Sequence, residues 1–160
     1  AIRFGGTVFD LTELELAYAP PYGSAKDPVN MIGFIAENIL KGKTDIIQWN
    51  ELDNLDLKNY TILDVRTERE VQMAHITNYI NIPIDNLWNR VNELDKNKTI
   101  IVYCAVGIRA YIATRILKQN GFNNVRNLSG GFATYSAAKY KLNSSLPEES
   151  YGVKVAVATE

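Results

Sequence analysis

The sequence has little of what several classes of protein require. It contains one cysteine and one histidine in 160 residues. An intrachain disulfide is therefore impossible, and zinc sites built from several cysteines and histidines are excluded. Seventeen basic residues nearly balance eighteen acidic ones, so no charge excess is present to bind nucleic acid or an anionic membrane. We expect no metal ion, and neither nucleic acid nor a membrane as a partner.

Long hydrophobic runs are also missing. The longest apolar stretch, from Ile100 to Ile108, has nine residues, whereas about 20 are needed to cross a bilayer. The N-terminus, Ala1 to Asp10, lacks the basic start and apolar run of a secretory signal. A single unpaired cysteine suits a reducing compartment, so the sequence predicts a cytoplasmic protein.

The first 43 residues read as a separate segment. After a turn-rich stretch, Asp27 is a predicted N-cap, Pro28 occupies the first helical position, and Gly42 follows the last turn. Between them, Ile32, Ile35 and other apolar residues recur at helical spacing. We expect this helix either to pack onto the rest of the chain or to pair two chains as a homodimer, because leaving its apolar face in water invites aggregation.

Residues 44–141 alternate short apolar runs with amphipathic stretches, a pattern typical of an α/β domain with a central parallel sheet flanked by helices. Thr67 and Glu70 have the spacing of a capping box. The predicted strands are Tyr60–Val65, Ile80–Ile84, Thr99–Tyr103 and Val125–Leu128. The predicted helices are Glu68–Ala74, Asp85–Leu94, Ile108–Asn120 and one that follows Gly130 and Gly131. Residues 142–160 read as a linker and an extra strand, which either pairs within this chain or opens a further domain.

The chemistry is predicted in the loop Cys104-Ala-Val-Gly-Ile-Arg109, which follows the most apolar strand. Parallel α/β sheets bind ligands at the carboxyl ends of their strands, where a loop enters a helix. The loop amides and the positive end of the next helix favour a thiolate, so Cys104 is a candidate nucleophile. Phosphatases that use such a cysteine loop have five residues between Cys and Arg. Only four separate Cys104 from Arg109, a shorter loop that suits a single sulfur atom.

This loop resembles the active-site loop of the rhodaneses, and three further motifs match in order over about a hundred residues. They are Leu63-Asp64-Val65-Arg66 with Glu70 and His75-Ile76, then Asn81-Ile82-Pro83, and finally Leu128-Ser-Gly-Gly-Phe132. The resemblance implies the rhodanese-like three-layer fold. The sequence departs from the family at Ala74, where a glycine is usual before the histidine.

The resemblance also implies a function. Cys104 would take sulfur from a sulfane-sulfur donor, become a persulfide, and pass that sulfur to a small thiol acceptor. Arg109 would brace the loop, and the amides of the loop residues Ala105, Val106, Gly107 and Ile108 would cradle the persulfide. Four residues would support the site without acting as its base: Asp64, Arg66, Glu70 and His75. The apolar loop side chains favour persulfides or polysulfides over the dianion thiosulfate.

The segment from Asp10 to Met31 is similar to the C-terminal end of flavin-dependent disulfide reductases, above all the coenzyme A disulfide reductases. Some of these carry a C-terminal rhodanese domain. The resemblance implies that residues 1–43 are the end of a dimerisation domain in a reductase-rhodanese fusion, with Tyr18 or Tyr22 matching a tyrosine of that active site. FAD, NAD(P)H and CoA would bind only the reductase domains, since this chain has no Gly-x-Gly-x-x-Gly motif. No cofactor is expected here.

Two other functions stay open at this stage. The first is a non-catalytic docking module with a rhodanese fold, although such modules typically lose the cysteine that this chain keeps. The second is a phosphatase or arsenate reductase on the same fold, which the short loop disfavours. Trp49 and Trp88 are expected to pack in the core or between helices, because no basic groove accompanies them as it would in a nucleic-acid site.

Overall fold

The structure is a computed structural model that describes residues 1–16, 21–22, 27–52, 54–56, 58–142 and 153–155. The chain divides into two compact units, residues 1–43 and 44–160. Among the described residues, none of the helices has the length and hydropathy that a membrane span requires. Tyr18 lies outside the described residues, and Tyr22 is almost fully exposed.

The first unit is a pair of helices, α1 (Val8–Thr12) and α2 (Pro28–Leu40), preceded by a short 3-10 turn. The Asp27 side chain accepts a hydrogen bond from the Val29 amide, which confirms the predicted cap. Gly33 brings the helices together, because a Cβ there would lie 3.0 Å from both Leu11 and Thr12. Asn30 Nδ2 donates to the carbonyl of Leu11, 3.0 Å away, so polar and apolar contacts both join the pair.

The predicted apolar face of α2 is only partly covered. Ile32 and Ile35 are 59% and 55% exposed, whereas Ile39 is half-buried. The pairing of two chains through this face stays a prediction, supported by the area of apolar surface left in water.

The second unit contains the remaining strands and helices. The strands are β1 (Asp45–Ile47), β2 (Tyr60–Asp64), β3 (Ala74–Ile76), β4 (Tyr79–Asn81), β5 (Thr99–Tyr103), β6 (Val125–Leu128) and β7 (Val153–Val155). The helices are α3 (Trp49–Leu52), α4 (Glu68–Met73), α5 (Ile84–Arg90), α6 (Ile108–Gln119) and α7 (Gly131–Leu142), with a 3-10 turn at Val91–Glu93.

Five strands form one parallel sheet in the order β1-β6-β5-β2-β4. β5 is central, and four of its five residues are buried, as expected of a strand covered on both faces. Helices α5 and α6 cover one face of the sheet, where Leu87 and Leu117 join the core. Helices α3 and α7 cover the other, through Leu52 and Tyr135. This is the predicted three-layer α/β architecture, and it places the carboxyl ends of all five strands at one edge.

A second, two-stranded sheet joins distant parts of the sequence. β7 pairs antiparallel with β3, with Ile76 opposite Val153 and Ala74 opposite Val155. The tail strand therefore pairs within this chain. Val157 and the polar stretch 143–150 lie outside the described residues.

Several sequence predictions were wrong in detail. The helix predicted at Asp85–Leu94 is the α-helix Ile84–Arg90 followed by a 3-10 turn, Val91–Glu93. The strand predicted at residues 80–84 is β4, Tyr79–Asn81, and α5 already begins at Ile84, because Pro83 cannot donate to a sheet and is well suited to a helix start. The helix predicted to end at Ala74 stops one residue earlier, and Ala74 is extended as the first residue of β3. Trp88 is not packed but 58% exposed on α5, whereas Trp49 packs against the core as predicted.

Candidate active site

Cys104 lies at the carboxyl end of the central strand, β5. Cys104 follows β5 directly, and only 1% of its surface is exposed. The backbone then turns through residues 105–107 into α6, a 12-residue helix. The thiol therefore lies at the positive end of a helix of more than three turns, where negative charge is stabilised.

The sulfur atom has a backbone donor of its own. The Gly107 amide donates to Cys104 Sγ over 3.1 Å. Gly107 has φ 131°, a region that L-residues with a side chain rarely adopt, and open space surrounds the position of a Cβ. Glycine is thus needed here for its backbone freedom, which aims the amide at the sulfur. A thiolate at Cys104 would strengthen this hydrogen bond.

Helix α7 fixes the other side of the loop. The Phe132 amide donates to the Cys104 carbonyl over 2.8 Å, and the Ala133 amide donates to the Ala105 carbonyl over 2.9 Å. The first amides of α7 would otherwise lack partners. The sequence predicted the turn at Gly130 and Gly131 but not this role. The sequence signal for this contact is the pair Gly130-Gly131, because glycine allows the start of a helix to approach another backbone closely.

Gly131→Ala is expected to displace the loop. A Cβ at this position would lie 2.6 Å from the Cys104 carbonyl oxygen, and the residue has φ 59°. Overlap with backbone cannot be relieved by a rotamer change, and the left-handed conformation costs about 1–3 kcal/mol. We expect slower alkylation of Cys104 by iodoacetamide and a free energy of unfolding lower by about 2 kcal/mol. Gly42→Ala is the matched control, since it also has positive φ but meets no atom within 4 Å. Equal alkylation rates in the two variants would contradict this role of Gly131.

An ion pair joins α4 to the start of α6. Arg109 Nη1 and Nη2 donate to the two carboxylate oxygens of Glu70 over 2.8 and 2.6 Å. Glu70 Oε2 also accepts from the amide and the hydroxyl of Thr67, the predicted capping box. The hydrogen bonds from Arg109, with help from Thr67, lower the pKa of Glu70 to about 2. Glu70, and to a lesser degree Cys104, raise the pKa of Arg109.

The ionisation of Glu70 makes stability depend on pH. The pKa of Glu70 falls from 4.5 to about 2 on folding, so its contribution is complete above about pH 4.5 and is lost as the pH falls towards 2. We expect the stability difference between wild type and Glu70→Gln to be largest at neutral pH and to shrink over this interval. Urea unfolding from pH 7 to pH 2 measures it. A difference that is constant with pH would show that Glu70 acts by packing instead.

A buried ion pair lies at the end of β2. Arg66 Nη2 and Asp64 Oδ2 are 2.7 Å apart, and the side chains are 5% and 0% exposed. Asp64 Oδ1 also accepts from the Arg66 amide, while Arg66 Nη2 donates to the carbonyl of Ala74. The guanidinium lies 4.3 Å from the centre of the Phe132 ring and 5.4 Å from that of Tyr103. The pair therefore connects β2, β3 and the helix start that holds the Cys104 carbonyl.

Two further polar side chains complete the supports around this pair. Asn81 Nδ2 donates to the carbonyls of Asp64 and Arg66 over 2.9 and 3.0 Å. The Tyr103 hydroxyl accepts from the Ile76 amide over 3.3 Å. Burial and the neighbouring Asp64 carboxylate raise the pKa of Tyr103. Tyr103 is thus a neutral polar bridge between β5 and β3, a role that its place in an apolar run did not predict.

His75 has its described side-chain contacts with α4 and β4 and not with the cysteine loop. Its Nδ1 donates to the Val71 carbonyl over 2.9 Å, and its ring lies 4.4 Å from the ring of Tyr79. These contacts tie β3 to α4 and β4. The structure therefore brings together Cys104, Glu70 and Arg109, and gives His75 packing and hydrogen-bonding partners apart from them.

The surface around the cysteine is apolar. Val106 and Ile108 are 65% and 66% exposed, and Ala105 is half-buried. Arg109 is the single charged residue of the loop sequence from 104 to 109. Among the described residues, no group of three or more histidine, cysteine, aspartate or glutamate side chains could hold a metal ion. The arrangement can stabilise an anionic sulfur through the Gly107 amide and the N-terminus of α6, with apolar side chains around it.

A family model of the rhodanese-like domain matches residues 49–138, more than half of the chain. The chain belongs to the rhodanese-like family. The matched residues run from the start of α3 to α7 and include the whole Cys104 loop. The parallel sheet flanked by helices is the rhodanese fold, as the sequence predicted.

Solved structures extend the similarity beyond the rhodanese domain. The crystal structure of reduced Bacillus anthracis CoADR-RHD is 43% identical to this chain with a TM-score of 0.82, covering 88% of this chain and 25% of that one. A NAD-dependent persulfide reductase from A. fulgidus is 42% identical with a TM-score of 0.71, covering 84% of this chain and 24% of that one. This chain therefore spans about a quarter of each of these proteins.

Curated relatives include sulfurtransferases. A sulfurtransferase of Allochromatium vinosum is 29% identical over 94 residues, which cover 54% of this chain and 88% of that protein. A tRNA uridine(34) hydroxylase of Buchnera aphidicola is 38% identical over 87 residues, but these cover only 28% of its length and 51% of this chain. Membership of a family that includes sulfurtransferases indicates sulfur-transfer chemistry in general terms.

Proposed function

We propose that this protein is a sulfurtransferase in which Cys104 carries sulfane sulfur as a persulfide. The observation that carries the proposal is the hydrogen bond from the Gly107 amide to Cys104 Sγ at the N-terminus of α6. A sulfur atom at this place is stabilised as an anion without a neighbouring base. The four-residue spacing to Arg109 leaves a cradle suited to one added sulfur atom.

The proposed reaction has two displacements. In the first, the Cys104 thiolate attacks the outer sulfur of a persulfide R–S–SH, the S–S bond breaks, and the thiolate RS⁻ leaves with its electron pair. Cys104 is then Cys–S–SH. In the second, an acceptor thiolate attacks the outer sulfur of Cys104, takes it as a new persulfide, and returns Cys104 to the thiolate. No external oxidant or reductant is needed, because sulfane sulfur moves between thiols.

The chain supplies the same groups to both displacements. The amides of residues 105–108 would cradle the outer sulfur, and Gly107 already donates to the inner one. Arg109, fixed by Glu70, would hold the end of the loop in place. Asp64 and Arg66 would support the loop through the contact of the Arg66 guanidinium with the Phe132 ring. His75 would hold β3 against α4. In this proposal none of these side chains transfers a proton in the chemical step.

Persulfides and polysulfides are the proposed donors. Val106 and Ile108 present apolar surface around the entrance to Cys104, and apolar surface does not compensate the desolvation of a dianion such as thiosulfate. A polysulfide chain or a persulfide of a small thiol can instead place its sulfur atoms against these side chains. Thiosulfate remains a slower donor under this proposal.

We further propose that the sulfur on Cys104 is exchanged with a disulfide reductase that uses FAD, NAD(P)H and CoA, either fused to this chain or as its partner. The motif in residues 10–31 and the names of the two similar solved proteins support this proposal. The cofactors would be held by that reductase, since the present chain has no dinucleotide-binding motif. A reducing cytoplasm would keep the single thiol available between turnovers.

Thiocyanate formation from cyanide tests the function with each donor. We expect wild-type protein to form thiocyanate above the protein-free background, with a higher kcat/KM for cysteine persulfide than for thiosulfate. Hydrolysis of an aryl phosphate should stay at background. Thiosulfate turnover that saturates at micromolar concentration would contradict the donor preference. Absence of turnover with both donors would favour the docking module, and aryl phosphate hydrolysis would favour the phosphatase.

A further inference from the structure

The single cation of the cysteine loop is already engaged by a carboxylate. Arg109 uses both of its terminal nitrogens on Glu70, at 2.8 and 2.6 Å, and the two side chains are 28% and 34% exposed. Bidentate geometry of this kind is also how arginine binds sulfonate or phosphate groups. A donor that carries a sulfonate therefore meets a guanidinium whose charge is already paired and two of whose five N–H groups are engaged by Glu70.

We propose that Glu70 determines which sulfur donors the site accepts, by pairing with Arg109 and so weakening the attraction of this cation for anionic donors. The proposal rests on the proposed sulfur transfer at Cys104 and adds a specificity-determining residue to it. Without Glu70, the same loop would present an unoccupied guanidinium next to the reacting sulfur and would favour dianions.

Glu70 is held in place for this role. Its Oε2 accepts from the Thr67 amide over 3.0 Å and from the Thr67 hydroxyl over 2.8 Å, in addition to Arg109. Three hydrogen-bond donors on one oxygen prevent the carboxylate from swinging away when a donor molecule arrives. The low pKa of Glu70 keeps the group ionised throughout the neutral range.

Thiosulfate and a persulfide differ in the charge that they bring to the Cys104 thiolate. With thiosulfate, the Cys104 thiolate attacks the outer sulfur, the S–S bond breaks, and sulfite leaves as a dianion with the electron pair, so three negative charges meet in the transition state. With a protonated persulfide, a neutral molecule approaches and one thiolate leaves. Repulsion by Glu70 therefore acts mainly on the thiosulfate reaction. Binding of the sulfonate by Arg109 would offset that repulsion, and the pairing of Arg109 with Glu70 weakens this binding.

The test compares rate constants for loading of Cys104, followed by intact mass, with thiosulfate and with cysteine persulfide. Cysteine persulfide is chosen because its ammonium and carboxylate charges cancel, so that it carries at most one net negative charge, on the persulfide group, against the two of thiosulfate. In Glu70→Gln the amide can still complete the capping box, since glutamine serves at this position. We expect the ratio of the thiosulfate rate constant to the persulfide rate constant to rise roughly tenfold. If Glu70 had a structural role alone, the substitution would lower the rate constants for loading from both donors and leave their ratio unchanged.

Glu51→Gln is the matched control. Glu51 accepts from the Gln48 amide at a helix start and pairs with Arg126, as Glu70 does with Thr67 and Arg109, but it has no hydrogen bond or ion pair with the cysteine loop among the described contacts. In Glu51→Gln the ratio of the thiosulfate rate constant to the persulfide rate constant should equal that of wild type. The double variant Glu70→Gln/Arg109→Gln should lose the gain in thiosulfate loading, because the guanidinium that binds the sulfonate is gone.

The outcomes separate this inference from the proposed function. If neither cysteine persulfide nor thiosulfate loads wild type better than Cys104→Ser, sulfur transfer and the role of Glu70 are both refuted. If wild type loads but the ratio is unchanged in Glu70→Gln, only the role of Glu70 is refuted. Wild type alone gives a further test if the variant does not fold: its thiosulfate rate constant should rise with ionic strength, because salt screens like charges. A fall with ionic strength would overturn the inference.

Discussion

Replacing Cys104 by serine is expected to lower sulfur transfer by at least about a thousandfold, to the rate measured without protein. The thiolate is the group that attacks the donor, and a serine hydroxyl is neutral at this pH and a poor nucleophile towards sulfur. Residual donor binding by the loop amides gives no product, because no other cysteine exists in the sequence. The measurement is thiocyanate formation from cysteine persulfide and cyanide, with the protein-free rate subtracted.

The loss must be chemical and not a loss of folding. Serine is slightly smaller than cysteine, and at a site with 1% exposure it can keep the Gly107 amide as a hydrogen-bond partner. We expect a change in the free energy of unfolding of no more than about 1 kcal/mol. Cys104→Ser protein that unfolds with wild-type cooperativity and retains more than a tenth of the activity would contradict a nucleophilic role for Cys104.

Asp64→Ala is expected to produce the largest loss of stability, about 3–5 kcal/mol in the free energy of unfolding. The carboxylate accepts hydrogen bonds from the amide, Nε and Nη2 of Arg66, and it is completely buried. Removing it leaves a buried guanidinium whose remaining described partners, the Ala74 carbonyl and the side chains of Tyr103 and Phe132, carry no compensating negative charge. Urea unfolding at pH 7 measures the loss.

A double-mutant cycle shows whether the unpaired charge is the cause. Asp64→Ala/Arg66→Met should be more stable than Asp64→Ala alone, because methionine fills the space over the Phe132 ring without a charge. The surface pair Arg126–Glu51 offers a contrast. Its side chains are 33% and 45% exposed, and Glu51→Ala should lower the free energy of unfolding far less than Asp64→Ala does, because solvent screens an exposed pair. Additive losses in the buried cycle would mean that packing and not charge explains the effect of Asp64→Ala.

The sequence predicted best those elements whose signals are local. β5 and β6 have the predicted bounds: β5 is a compact apolar run, and β6 begins and ends at the buried residues Val125 and Leu128. The start of α4 follows from the Thr67 and Glu70 capping box, and that of α2 from Asp27. β1 and α3 were not delimited, since three- and four-residue elements carry too few residues to show a period.

Contacts between distant residues could not be predicted in the same way. Nothing local in Ala74–Ile76 indicates that Val153–Val155 pairs with it, because the two strands are almost eighty residues apart. The same limit applies within the site. Family resemblance identified Glu70 and Arg109 as site residues. Their bidentate ion pair joins positions 39 residues apart, so only the folded structure shows it. The support of the Cys104 carbonyl by the Phe132 amide is likewise a product of the fold.

The most direct test of the central claim is the intact mass of the protein after brief incubation with glutathione persulfide and removal of the excess donor. The account predicts a gain of one sulfur atom on wild type, its removal by cyanide, and its absence from Cys104→Ser. Wild-type protein that gains no sulfur from glutathione persulfide, or a Cys104→Ser variant that gains as much as wild type, would contradict a persulfide on Cys104 as the intermediate of sulfur transfer.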